Sequence, residues 1–138
     1  MSGLVRFGVS LDGELLRKFD ELIREKNYSN RSEAFRDLIR QELITKEWEV
    51  GEEVAGAITL IYDHHHRELL NRVTDLQHDL QHVIISTQHV HLDHKNCLEI
   101  VAVRGKPDEV RRLAEKLRSI KGIKHCTLSM SSTGKEIV

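Results

Sequence analysis

Two β-branched, apolar runs separated by one turn signal constrain the fold of this chain more than any other feature. Val83 to Leu92 is the first run, Asp93-His94-Lys95-Asn96 is turn-forming, and Cys97-Leu98-Glu99-Ile100-Val101-Ala102-Val103 is the return. The pattern predicts an antiparallel hairpin. His89 and His91, at i and i+2, then point to the same side of their strand. Cys97 joins them if the loop holds an odd number of residues and faces away if it holds an even number. Two imidazoles and a thiolate on one sheet face would make most of a site for a borderline-soft divalent metal.

The flanking sequence extends the hairpin into a domain. Strands are predicted over Val54 to Tyr62, His82 to Leu92, Asn96 to Gly105 and Ile123 to Ser131, with helices over about His66 to Leu80 and Pro107 to Lys121. Pro107 suits the first turn of its helix and Gly122 its end. The order β-α-β-β-α-β is the split βαβ plan, an antiparallel sheet with both helices on one face. We expect Val83, Ile85, Thr87, His89 and His91, with Cys97, Glu99, Val101 and Val103, to line the other face. So apolar a face would pack on another subunit.

The N-terminal part differs in character. Val5-Arg6-Phe7-Gly8-Val9-Ser10 alternates, which predicts a half-buried strand with Arg6, Gly8 and Ser10 outward. Asp12 can cap a helix carrying Leu15, Leu16, Phe19, Leu22 and Ile23, and Lys26-Asn27-Tyr28-Ser29 breaks it. Asn30-Arg31-Ser32-Glu33 reads as a capping box for a second helix with Ala34, Phe35, Leu38, Ile39 and Leu43 on one side. One strand and two short helices cannot bury a core alone, so this unit should fold as a dimer through its strand. The expected fold class is α+β, with a βαα unit at 1–45, a polar linker at 46–53 that includes Trp48 and Gly51, and a βαββαβ domain at 54–138.

Composition narrows the function. Basic and acidic residues balance, 21 against 22, so any DNA contact must come from local arrangement. No apolar run is long enough to span a membrane and no signal peptide is evident, so a cytoplasmic protein is expected. Cys97 and Cys126 sit in different predicted strands, and no structural disulfide is expected. Cys126 reads as a small buried residue. All nine histidines fall between His64 and His125.

The N-terminal pattern resembles a ribbon-helix-helix DNA-binding domain. The resemblance implies a two-stranded ribbon in the major groove of double-stranded DNA, with the second helices offering their N-termini to phosphates. Arg6 could then donate to a guanine and Ser10 to neighbouring bases. Asn30, Arg31 and Ser32 would supply phosphate donors. Gly8 departs from the pattern, leaving the middle ribbon position without a side-chain reader.

That unit, joined to a ferredoxin-like domain with His78, His89-Val90-His91 and Cys97, resembles the nickel-responsive transcriptional regulators from about Val5 to Met130. The segment Gln88 to Glu99 carries the likeness most specifically. It implies an ACT-type regulatory domain, a homotetramer built as a dimer of dimers, and one Ni(II) per chain in a planar four-coordinate site. The ligands would be His89, His91 and Cys97 of one chain and His78 of its neighbour. Gln77 and Glu99 match positions that support the site. Glu33 and Asp37 match a place where members hold a second cation. The implied partner is a two-fold symmetric operator, and the implied role is repression of nickel uptake.

Other readings remain open at the level of sequence. Ligand types do not fix angles, so zinc and copper stay possible, and copper could bind more tightly. An ACT-type regulator could instead sense a different metal or a small molecule, and small-molecule sites of that type usually rely on a glycine-bearing turn between the first strand and helix. Tyr62-Asp63-His64-His65-His66 has none. A zinc hydrolase would need an open coordination position and a base, with Glu99 the evident candidate. Four protein ligands would close the site, so no enzyme is expected. His64, His65 and His66 read as a solvated helix start or as a metal cluster. His78 and His82 share helical spacing, but His82 falls where the helix should end.

Overall fold

Asp12 begins the helical part of the chain. Its carboxylate accepts from the backbone N–H groups of Glu14 at 2.9 Å and Leu15 at 3.3 Å, donors that lack a partner inside the helix. Helix α1 then runs Gly13–Glu25. Asn27, at φ 59°, takes the left-handed conformation that asparagine tolerates and turns the chain. Asn30 accepts from the Glu33 N–H at 2.9 Å and opens helix α2, Arg31–Val50. The expected capping box is half made, because the Glu33 carboxylate pairs with Arg36 instead.

These features come from a computed structural model that describes residues 3–138. It separates into two units, the first ending at Arg40 and the second spanning Gln41–Val138. The first unit closes almost no core. Ala34 alone among its described residues is buried, and α1 buries none. Phe19 and Phe35 meet edge to face at 5.1 Å. Leu15, Leu22, Leu38 and Ile39 stay about half exposed around them, and Val5 and Phe7 are 80% and 73% exposed. The strand expected over Val5–Ser10 has no ladder in the single chain, because a lone strand has no partner for its N–H and C=O groups.

The second unit has its own core. Strand β1 is Val54–Asp63, helix α3 Arg67–Asp79, strand β2 Ile84–His91, strand β3 Asn96–Gly105, helix α4 Pro107–Ser119 and strand β4 His125–Met130. The strands form one antiparallel sheet in the order β2-β3-β1-β4. Ile58, Leu60 and Tyr62 of β1 bury against Leu69 and Val73 of α3 and Val110, Leu113 and Leu117 of α4. Each such side chain contributes about 1.5–3 kcal/mol on leaving water. The helices therefore cover one sheet face.

Two expectations are corrected. Cys97, Glu99, Val101 and Val103 belong to this covered face and are at most 1% exposed. The face left uncovered is the alternate one, with Ile61, Val90, Leu98 and Ile100 half-buried on it. Alternation identified a shared face but could not say which face the helices take. Ile85 also leaves the expected row, because a bulge between Ile84 and Ser86 makes it an extra residue, 61% exposed.

The second correction concerns residues 46–53. Helix α2 continues through Val50, so only Gly51, Glu52 and Glu53 separate it from β1. Trp48 explains the extension. It is 1% exposed, donates from Nε1 to the Ser131 carbonyl at 2.8 Å, and lies beneath the Arg111 guanidinium at 5.6 Å. A tryptophan so buried holds its helical turn in place. Close packing continues at Gly56, where an added Cβ would lie 2.5 Å from the Ser129 carbonyl oxygen and 3.5 Å from the Trp48 ring.

Candidate metal centre

The hairpin loop decides where the cysteine points. His91 stands directly across from Cys97, and His89 across from Glu99, so five residues lie between the paired ends. The odd count puts His89, His91 and Cys97 on one face, as parity required. Asp93 closes this loop. Its carboxylate accepts from the backbone N–H groups of Lys95 and Asn96, each at 2.8 Å, and from the Asn96 side-chain amide at 2.8 Å.

The hydrogen bonds from Asn96 and then Lys95 hold the Asp93 carboxyl down to about 2. That lies below the ~3.9 of an unfolded aspartate, so its contribution is present above that value and is lost as pH falls through about 2. An NMR titration of the Asp93 carboxyl should show this low midpoint. A midpoint near ~3.9 would mean that the loop is not closed this way.

Beside the cysteine lies a buried carboxylate with three donors. Glu99 is 1% exposed. It faces His89 Nε2 at 2.7 Å and receives the Gln77 amide at 2.6 Å and the Tyr62 hydroxyl at 3.3 Å. A buried carboxylate without such partners would be costly. With Nε2 donating to Glu99, the His89 lone pair is on Nδ1, which lies 3.9 Å from Cys97 Sγ. The ring is thus held with its free nitrogen turned toward the thiol. Burial first, and the charge of Glu99 next, push the Tyr62 hydroxyl far above its ordinary range, so it stays a donor.

Sequence reasoning missed Tyr62. It sits on β1 directly across from Cys97 of β3, and its parity with Ile58 and Leu60 would have placed it on the core face.

The donor set of the hairpin suits a soft or borderline metal. Two imidazoles and a thiol share one face, and His89 is already oriented. His78 does not join them. It is exposed in the last turn of α3. Among the described residues, no three His, Cys, Asp or Glu side chains of the single chain come together as a metal-holding group.

The other histidines have separate surroundings. His66 caps α3, its Nδ1 accepting from the Leu69 N–H at 3.2 Å. His64 stacks on His91 with ring centres 4.6 Å apart, and its buried Nε2 has no hydrogen-bond partner. His82 lies beyond the end of α3, 3.6 Å from the Glu109 carboxylate, so the helical His78–His82 clamp does not form. Cys126 is buried, as expected, with its thiol 3.6 Å from the Ala114 carbonyl.

The expected DNA-facing residues all lie in the first unit. Arg6, Gly8, Ser10 and Ser32 are exposed, and Asn30 is occupied as a helix cap. Arg31 lies against Asp20 through two contacts of 3.0 Å. Such an exposed pair is screened by solvent and contributes little to stability. At the candidate second cation position, Glu33 pairs with Arg36 and Asp37 accepts from the Tyr28 hydroxyl. Both carboxylates are already engaged within the unit.

Comparison with known proteins covers both units. Residues 55–131 match the family described as the NikR C terminal nickel binding domain, and residues 5–46 match the ribbon-helix-helix proteins of the copG family. A protein of Syntrophus aciditrophicus named as a nickel-responsive regulator is 62% identical over 98% of both chains. Others so named, from Chlorobium limicola and Solibacter usitatus, are 58% and 56% identical, each covering 97% or more of this chain and 99% or more of their own. An uncharacterized protein from Thermotoga maritima has the fold over 57% of this chain and 98% of its own, with a TM-score of 0.53 at 15% identity.

Proposed function

The chain belongs to the nickel-responsive regulator family, and from that premise we propose that it represses nickel uptake by binding operator DNA as a nickel-loaded homotetramer. It is a DNA-binding transcriptional regulator that responds to Ni(II). In this reading each chain holds one metal ion through His89, His91 and Cys97, with His78 supplied by a second copy. The observation that carries it is the placement of His91 opposite Cys97, with His89 Nδ1 turned toward the same sulfur. Four protein ligands leave no position for a reacting water, which favours a regulator without catalysis. Among the described residues no helix is long and apolar enough to cross a membrane, and a place with the DNA in the cytoplasm fits the role.

Two surfaces support the assembly. The first unit exposes Val5, Phe7, Leu15, Leu22 and Leu38, which a ribbon dimer would cover. The sheet of the second unit leaves Ile61, Val90, Leu98 and Ile100 without covering helices, an apolar face suited to a like face on another copy. Two ribbons on one tetramer then meet the halves of a two-fold operator, and binding depends on both being placed together. Anchoring His78 on the hairpin of a neighbour restrains α3 and favours the DNA-competent arrangement. Only differential affinity produces such a shift, so operator should tighten nickel binding by the same factor that nickel tightens operator binding.

The bridged site is tested by mixing chains. His78→Ala and Cys97→Ala are each expected to impair nickel binding. After joint dissociation and reassembly, a mixed pair has one intact site and one damaged twice, so nickel capacity and nickel-dependent operator binding should partly recover. Confirmed subunit exchange without recovery would refute the bridge.

The DNA contacts carry their own expectation. Arg6→Ala should cost about 1–3 kcal/mol and relax preference at one base position, as loss of a two-pronged contact to guanine does. Arg31→Ala should weaken binding to all sequences alike and flatten its salt dependence. Measured against a panel of operator variants, an Arg6→Ala protein with unaltered affinity and preference would exclude the ribbon as reader.

A further inference from the structure

We propose that the end of α2 is a regulatory joint: its seat on the second unit, strapped down by the segment that follows β4, passes the nickel signal to the other end of the same helix. The inference rests on the nickel-dependent operator binding proposed above. Helix α2 runs from Arg31 to Val50, yet the division between the two units falls inside it, after Arg40. Its apolar side chains change sides accordingly. Ala34 is buried in the first unit and Phe35 meets Phe19 there, whereas Ile44 and Trp48 pack into the core of the second. Phe35 and Ile44 are about two and a half turns apart, so they leave the helix on opposite sides.

The seat joins one helical face to one strand end. Ile44, Glu47 and Trp48, at i, i+3 and i+4, share the face. Ser131 ties it to the sheet, because its N–H donates to the Ala55 carbonyl at 2.9 Å while its own carbonyl accepts from Trp48 Nε1 at 2.8 Å. Ser132 continues the strap. Its hydroxyl donates to Glu47 Oε1 at 3.4 Å and accepts from the Gly134 N–H at 3.0 Å. Gly51, Glu52 and Glu53 then only return the chain from the seat to β1. A flexible tether at that place would transmit no torque. A seated helix does, since rigid elements carry coupling between sites, and α2 opens at its far end with Asn30, Arg31 and Ser32.

Operator affinity of the full-length protein with and without nickel, beside a nickel titration of each variant, tests the joint. The native gain on adding nickel should fall in the roughly 5- to 150-fold range of ordinary site coupling. Inserting one alanine between Arg40 and Gln41 keeps the helix but turns its far end by about 100° relative to the seat. It should abolish the gain with nickel binding retained. Inserting Gly-Gly between Glu52 and Glu53 lengthens only the return loop and should leave the gain at its native value. Trp48→Phe keeps a ring in the seat but has no donor for Ser131, and should reduce the gain without changing nickel binding.

A Trp48 that served stability alone would, as phenylalanine, lower the unfolding midpoint and leave the gain unchanged, which overturns the proposal. So does a loop insertion that abolishes the gain, because it returns the joint to residues 51–53. A native protein with no nickel-dependent gain overturns the reading beneath the joint. A native gain that survives both the alanine insertion and Trp48→Phe overturns the joint alone.

Discussion

Cys97→Ser is expected to reduce nickel affinity by more than the ~10–100-fold that loss of an outer-shell partner costs. The near-ultraviolet thiolate-to-nickel absorption should vanish with it. The cause is direct: Cys97 stands across from His91, while Cys126 shares the covered face but lies two strands away on β4 with its thiol against the Ala114 carbonyl. The replacement is nearly isosteric in a residue 1% exposed, so the assembly should remain intact by size-exclusion and light scattering. Glu99→Gln serves as the comparison. It keeps every proposed ligand but replaces a carboxylate that accepts from three donors. Its loss should stay within ~10–100-fold with the absorption band retained. A Cys97→Ser protein with an unaltered nickel spectrum would remove the cysteine from the site.

Trp48→Ala is expected to cost about 3–5 kcal/mol, the range for deleting a large buried aromatic side chain. The loss combines a cavity beside Gly56, the orphaned carbonyl of Ser131 and the stacking of Arg111. Each kcal/mol moves the unfolding midpoint by roughly 4–8 °C in a domain of this size. Trp48 is the only tryptophan, so the measurement needs circular dichroism rather than intrinsic fluorescence. Trp48→Phe should recover part of the packing but not the hydrogen bond to Ser131. A change under ~1 kcal/mol would be typical of an exposed substitution, and it would restore the flexible polar linker that the sequence suggested for residues 46–53.

That linker shows where sequence patterning loses its power. Lys46, Glu47 and Glu49 surround Trp48 with charge, so a window of residues reads as solvated. The one buried side chain in it finds its hydrogen-bond partner at Ser131, just past β4, and its stacking partner at Arg111 of α4, each more than sixty residues away in sequence. Periodicity reports only local alternation. The same limit reversed the sheet face, since alternation assigned Cys97, Glu99, Val101 and Val103 correctly to one row but could not choose the row that meets the helices.

Local chemistry was legible by contrast. Asp12 and Asn30 cap the helices that their positions announced. Asp93 and Asn96 make the turn that sets the parity of the metal-facing residues. His78 was legible only as a residue type at a spacing, because its proposed partners belong to another copy.

The bulge at Ile85 has a consequence for how this chain can vary. Ile84 stands across from Val103 and Thr87 across from Val101, so residues three apart share the covered face. Upstream of Ile85 one parity packs Ile84 against the core, and downstream the opposite parity keeps His89 and His91 beside Cys97. A one-residue deletion there would set these requirements against each other. Either Ile84 leaves the core or both imidazoles swing to the uncovered side, so length, rather than residue identity, is the guarded property of this edge strand.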